Sequence, residues 1–180
     1  MRRITAVICF MLILSLSFSI CSAKNLQYIV DSTDHESMIY LDVDSVRMAE
    51  LYTPHYGIVF RVVTMESFYD RQLFLYTLTQ NGSFKQYETL SSGGWSYTVN
   101  IYELSVADNT MRLINEEYYN ANDDLILSYR EPNPTYRTIN AHTIISRIAV
   151  AASRYFVDNS DYIKTLPYYD FESDSYKELQ

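Results

Sequence analysis

Cysteine is nearly absent from this 180-residue chain. Its two cysteines, Cys9 and Cys21, both lie in the N-terminal segment, so removal of that segment leaves none. A chain without cysteine has no disulfides and no cysteine-based metal sites. It must therefore be held together by its apolar core. Residues 24–180 number 157, and folding at this size buries roughly 68–70% of the surface of the unfolded chain. We predict a single domain.

Glycine and histidine are also scarce. The four glycines form neither of the common phosphate-binding loops, which excludes nucleotide binding by those routes. The three histidines, His35, His55 and His142, lie on predicted loops or caps, and no two have the spacing of a metal-binding pair. We interpret them as solvated polar residues. The sequence thus predicts no cofactor and no metal site.

Signatures of catalysis are missing as well. No nucleophile elbow is present, and Ser92–Gly94 is better explained as a strand break than as an oxyanion hole. Aspartates cluster at the ends of predicted strands, where they are typical turn residues. These are Asp31 with Asp34, Asp42 with Asp44, and Asp123 with Asp124. A glycosidase-like pair of carboxylates depends on spatial separation and stays an open alternative. We predict that the chain is not an enzyme and has no catalytic residues.

The N-terminus has the order of a secretory signal peptide. Met1, Arg2 and Arg3 precede an apolar run from Ile4 to Ile20, and small residues then lead to Lys24. We predict a signal peptide over residues 1–23, an exported protein and no stable membrane span after cleavage. A retained anchor stays open, because the 17-residue run reaches the lower limit of a spanning helix. A lipoprotein cut before Cys21 also stays open, although Ile20 is larger than that route prefers.

The charge of the mature chain is strongly negative. All 22 acidic residues follow residue 23, but only 12 of the 14 basic ones do, so the net charge of residues 24–180 is −10. An acidic protein is a poor partner for a phosphate backbone, so we predict no nucleic-acid binding. The mature chain also carries all 18 tyrosines. Tyrosine serves half-buried sheets and recognition surfaces alike. We favour strands with one wet face and keep a recognition surface as the alternative.

Most of the mature chain has the residue pattern of β-structure. Ile58–Met65 is apolar on both faces and predicts a central strand. Trp95–Ile101 alternates cleanly between apolar and polar residues, which predicts one core face and one wet face. Gln72–Thr79 also favours a strand but is compatible with a helix, and Asp42–Ser45 is typical of a turn. The other predicted strands are Leu26–Asp31, Met38–Leu41, Met111–Tyr119 and Leu125–Arg130.

After Pro132 and Pro134 the apolar spacing becomes helical. Thr143 is a plausible N-cap, and the residues on the predicted apolar stripe are Ile144, Ile145, Ile148, Ala152, Tyr155 and Phe156. We predict an α+β domain over residues 24–158, in which this helix packs on the sheet that the preceding strands form. Residues 159–180 are predicted to be an acidic, tyrosine-rich tail or loosely docked extension. Its Tyr168, Tyr169 and Phe171 could dock a partner or a sister subunit.

The run Tyr118–Tyr129, followed by Pro132-Asn133-Pro134, Ile139 and a final helix, resembles the C-terminal half of the surface-adhesin protein E family. Tyr40–Val46 is similar to the aspartate-bearing turn of that family. The resemblance spans about Gln27–Asp158. Members often carry one cysteine near Val106 or Ala107 and another near Ala151 or Ala152; this chain has neither, so apolar packing must hold helix to sheet.

The resemblance implies a small exported bacterial domain of the α+β class, with an antiparallel sheet of about six strands and one C-terminal helix packed on it. It also implies a noncatalytic role at the bacterial surface, in which the domain binds a host matrix or serum protein such as laminin or vitronectin. The location would be the periplasm, the outer-membrane surface or the extracellular space. A periplasmic structural or housekeeping protein without adhesin activity stays the alternative function, and a homodimer stays open.

Overall fold

The computed structural model describes residues 25–32, 37–49, 57–170 and 175–177. Predictions about the leader, His35, His55, Asp34 and Phe171 lie outside these residues. In the described ranges the strands are β1 Leu26–Asp31, β2 Met38–Met48, β3 Gly57–Met65, β4 Trp95–Ser105, β5 Thr110–Asn120, β6 Leu125–Arg130, β7 Arg137–Thr138, β8 Tyr168–Asp170 and β9 Ser175–Lys177. The helices are α1 Phe68–Gln80, α2 Phe84–Gly93, α3 Ile144–Asp158 and α4 Ser160–Ile163.

The main sheet is an antiparallel meander. Its first six strands lie in chain order, β1 to β6, and β7 pairs with the same edge of β5 that β6 uses further along. β8 and β9 form a separate hairpin. The predicted α+β class and the antiparallel sheet of about six strands are confirmed. The prediction of a single helix is wrong, because the described residues contain four.

The two middle strands form the centre of the fold. β3 is buried along most of its length on both faces, as its continuous apolar pattern predicts. β4 buries Trp95, Tyr97 and Val99 as predicted, but Thr98 on the other face is buried too, with 3% of its surface exposed. The face of β4 that was expected to contact solvent is therefore buried at Thr98.

The segment Gln72–Thr79 is helical, so its prediction as a strand is wrong. Ser67 caps α1 by accepting a hydrogen bond from the Asp70 amide at 3.0 Å. The inner side chains of the helix, such as Phe74 and Leu78, pack on Trp95 and Tyr118. Burial of this inner face outweighs the β-propensity of the aromatic and β-branched residues. The predicted break at Ser91–Gly94 is the end of α2, where Gly94 adopts a left-handed conformation with φ of 70°.

The predicted turn Asp42–Ser45 is also corrected, because β2 continues through it to Met48. The extra residues form an irregularity in the pairing with β3, whose register shifts between Asp42 and Arg47. The turn-like bonding is still present within the strand. Ser45 Oγ donates to the Asp42 carbonyl at 2.5 Å and accepts from the Arg61 amide at 2.8 Å. This hydroxyl replaces a ladder bond that the irregularity removes.

Helix α3 begins as predicted, since Thr143 Oγ1 accepts a hydrogen bond from the Ser146 amide at 3.1 Å. Ile148 and Ala152 are buried in one apolar cluster with core residues of the first strands, including Leu41. Ile145 was predicted to lie on the buried stripe but is exposed, because it lies away from that side of the helix.

Residues 160–170 of the C-terminal segment pack on the domain. Ile163 belongs to the same cluster as α3, and Tyr169 belongs to a cluster with Val59 and Ile114 on the other side of the sheet. Asp170 is buried and pairs with Lys177 across the small hairpin. The sequence pattern here has no clear period, so it left a tail and a loosely docked extension as alternatives. No helix among the described residues is long and apolar enough to cross a membrane.

Candidate functional site

The most distinctive surface of the protein is an exposed apolar patch on the first two helices. It consists of Phe68, Tyr69, Leu73 and Tyr76 on α1 with Phe84 at the start of α2, and we call it the aromatic face. Their exposed fractions are 72%, 60%, 51%, 61% and 61%. Tyr69, Leu73 and Tyr76 have the spacing i, i+4, i+7, which places them on one side of the helix. Several large apolar side chains exposed on neighbouring turns typically mark an interaction site.

The side chains of the aromatic face are different from those with which α1 packs on the core. On the opposite side of the helix, the ring of Phe74 lies 5.3 Å from the ring of Trp95 and 6.0 Å from that of Tyr118. Trp95 and Tyr118 contact each other edge to face at 5.4 Å. Buried aromatic contacts of this geometry fix the helix against the sheet. The outer aromatic residues therefore contribute nothing to this cluster and remain available to a partner.

Polar contacts at the start of α1 hold the helix in place. Arg71 Nη1 donates to the Trp95 carbonyl at 2.7 Å. Ser37 accepts from the Ser67 amide at 3.1 Å, and its hydroxyl is hydrogen-bonded to Asp70. The helix that carries the aromatic face is thus tied to β4 and to the residue just before β2. A rigid platform loses little entropy when a partner binds.

Near the start of the helix lies a group of carboxylates, Glu66, Asp70 and Glu116, which we call the acidic cluster. Thr98 Oγ1 donates to Glu66 at 3.1 Å. Burial raises the pKa of Glu66, whereas hydrogen bonds from Thr98 and Ser37 lower it. Burial likewise raises the pKa of Glu116. Glu66 and Glu116 are thus partly withdrawn from water, which favours their neutral form.

The acidic cluster lies apart from three concave surfaces of the described chain, which we number as grooves. Groove 1, of 430 Å³, is lined by one carboxylate, Glu131. Groove 2, of 600 Å³, is lined by Asp158 alone among carboxylates, and groove 3, of 430 Å³, by none. Acid–base hydrolysis of a glycoside needs two carboxylates that face one substrate. None of these grooves offers that pair.

Metal ligation has no support in the described ranges, where no group of three or more His, Cys, Asp or Glu residues could hold an ion. The predictions that the chain is not an enzyme and binds no metal or cofactor stay predictions. His142 is exposed in the loop before α3 and has a φ of 64°. Asp123 lies in the β5–β6 turn and accepts a hydrogen bond from Tyr97 at 2.5 Å, in keeping with a structural role.

Sequence reasoning missed the aromatic face because it assigned Gln72–Thr79 to a strand. A strand places Tyr69, Leu73 and Tyr76 on no common side, whereas the helical alternative places all three on one. That alternative was the signal that could have revealed the surface. The sequence favours tyrosines in half-buried strands, and many do lie there. Tyr69 and Tyr76 differ, because they lie on the exposed side of a helix.

Comparison of the chain with family models, with curated proteins and with solved structures found no match. The function is therefore argued from the surfaces of the molecule and from the resemblance of its motifs.

Proposed function

We propose that this chain is an exported bacterial cell-envelope or surface protein that binds a partner protein noncatalytically, as its resemblance to surface-adhesin protein E implies. The observation that carries the proposal is the aromatic face. Its five large side chains are each more than half exposed on a helix whose opposite side is filled by the core. Water-exposed apolar surface of this extent is costly unless a partner covers it.

The chemistry of the aromatic face suits a folded protein partner. Tyrosine and phenylalanine provide large contact areas with few rotatable bonds, and tyrosine adds a polar tip. Such residues are enriched among the few side chains that dominate binding energy at protein interfaces. The resemblance to the adhesin family suggests a host matrix or serum protein, laminin or vitronectin. The leader at residues 1–23 supports export to the envelope, where such a partner would be met.

The same proposal includes a C-terminal helix that closes the core without a disulfide. It is supported by the burial of Ile148 and by Ala152, which has no exposed surface. Apolar packing then replaces the cysteine link that members of the family often carry.

The test is saturable binding of the purified protein to immobilised laminin and vitronectin. Replacement of Tyr69, Leu73 and Tyr76 by serine should weaken binding at least tenfold, since a few central residues typically dominate an interface. The matched control replaces Leu125, Val157 and Tyr162 by serine. These residues are exposed to 54%, 68% and 62% but lie elsewhere, and their loss should change the affinity less than threefold.

Absence of saturable binding at micromolar concentration would remove adhesion to these two proteins. It would leave the periplasmic structural or housekeeping role. Equal loss in the two triple variants would instead show that the aromatic face is not the contact. Fractionation of the producing cells, with mass spectrometry of the mature N-terminus, tests export separately. An intact Met1 in the cytosol contradicts it.

A further inference from the structure

One edge of the main sheet is open beside a helix. β1 is the end strand and pairs with β2 on one side only, and no other described strand pairs with its outer edge. An unpaired edge presents backbone N–H and C=O groups that readily accept a further strand. Next to this edge, groove 2 runs between β1 and the outer side of α3.

The helix side of groove 2 has a regular arrangement. Arg147, Val150, Arg154 and Asp158 follow one another at steps of three or four residues, with Ala151 beside Val150, so they form one stripe along α3. Two cationic groups thus flank an apolar centre. Across the groove, Tyr28 and Ile29 supply the wall from β1.

An extended segment paired with β1 would reach the helix wall of the groove. From Ser146 to Asp158 the helix advances about 18 Å at 1.5 Å per residue. β1 spans about 20 Å at roughly 3.4 Å per residue, and its Gln27, Tyr28 and Ile29 line the groove. A segment of five or six extended residues beside β1 would therefore contact both walls where these three residues lie.

The charge of groove 2 differs in sign from that of the protein. The mature chain has a net charge of −10, yet the groove carries two arginines against one aspartate. Arg147 and Arg154 are exposed, and neither has an ion-pair partner among the described residues. A second copy of this chain, with the same two arginines at its own β1 edge, would bring like charges together. An acidic strand would pair with them.

We propose that groove 2 binds an extended acidic segment of a partner protein, which adds to the sheet as a strand beside β1. Backbone hydrogen bonds to β1 provide affinity that does not depend on sequence, and side chains that face α3 provide selectivity. Acidic side chains meet Arg147 and Arg154, and an apolar side chain between them packs on Val150. This surface is distinct from the aromatic face, so it goes beyond the proposed function and does not depend on it.

The test uses a fluorescent eight-residue peptide of alternating glutamate and valine, flanked by glycine, with the purified full-length chain at low salt. We expect saturable binding by fluorescence polarisation, and little binding of the matched peptide in which lysine replaces glutamate. The double variant Arg147→Glu/Arg154→Glu should bind about tenfold more weakly or worse, since two exposed ion pairs become repulsive. The control Arg137→Glu/Lys164→Glu makes the same change in net charge away from the groove and should retain affinity within threefold.

Strand addition has its own readout. Methylation of alternate backbone amides of the peptide should abolish binding, and the β1 amides that point away from β2 should exchange hydrogen more slowly in the complex. Equal binding of the methylated peptide or of the lysine peptide would overturn the proposal. So would no saturable binding up to millimolar peptide, or a dimer in sedimentation that pairs through β1 and excludes the peptide.

Discussion

Replacement of Tyr169 by alanine should destabilise the whole domain, although this residue lies in the segment that the sequence assigned to a tail. Tyr169 is 5% exposed and packs with Ala49, Val59 and Ile101 on one face of the sheet. It also forms an isolated parallel bridge with Ala49. Its ring meets that of Tyr176 edge to face at 5.4 Å. Removing the ring leaves a cavity against the central strands.

The expected loss follows from these contacts. Truncation of a buried aromatic residue to alanine costs about 3–5 kcal/mol. The hairpin lies at the periphery and can relax, so we expect about 3 kcal/mol. A domain of this size typically has about 5–15 kcal/mol of stability, and each kcal/mol shifts Tm by about 2–4 °C. The variant should therefore melt about 6–12 °C below the parent.

Circular dichroism during heating, with urea unfolding as a second measure, checks this value. The matched control is Tyr176→Ala in the same hairpin, where the side chain is 47% exposed. Its main loss is the ring pair with Tyr169, about 1 kcal/mol or 2–4 °C. If Tyr169→Ala melts within 2 °C of the parent with unchanged folded signal, the hairpin is a loosely attached tail and the reasoning fails.

Two further predictions concern the acidic cluster and the end of α2. Because folding raises the pKa of Glu66 above its ordinary value of 4.5, its contribution to the free energy of unfolding is fully present below pH 4.5 and is lost as the pH rises through the raised value. Glu66→Gln should raise Tm at pH 7 but not at pH 4; melting curves from pH 4 to 8 that parallel those of the parent would contradict this. Gly93→Ala would place a methyl group 2.5 Å from Ile126 Cγ2, so we expect a loss of about 1–3 kcal/mol in urea unfolding. The control Ser91→Ala lies at an exposed position of the same helix, and an equal loss there would exclude the steric cause.

The strands with the strongest local signals were predicted well. Ile58–Met65 has β-branched residues on both faces and is the third strand of six, buried on both sides. Trp95–Ile101 alternates, and it lies within β4. The first segment has a continuous β-rich run and the second a period of two, so no distant contact is needed to decide either structure. The prediction of Thr143 as an N-cap also needed only local sequence, because capping depends on residues three positions apart.

The strand prediction for Gln72–Thr79 failed for a reason that involves the candidate site. Apolar residues lie on two sides of α1: the inner side packs on Trp95, and the outer side forms the aromatic face. With apolar residues all round, the helical period disappears from the sequence and the β-prone composition dominates. The surface that most strongly suggests binding is thus the one that made the helix hard to predict.

The sequence by itself determined the central strands β3 and β4 and the acidic, cysteine-free character of residues 24–180, because these depend on composition and on neighbours along the chain. Only the tertiary structure decided that α1 exposes an aromatic face, that Tyr169 is buried, and that Arg147 and Arg154 border an open sheet edge. Each of these depends on which residues distant in sequence cover one another. Local periodicity carries no information about that.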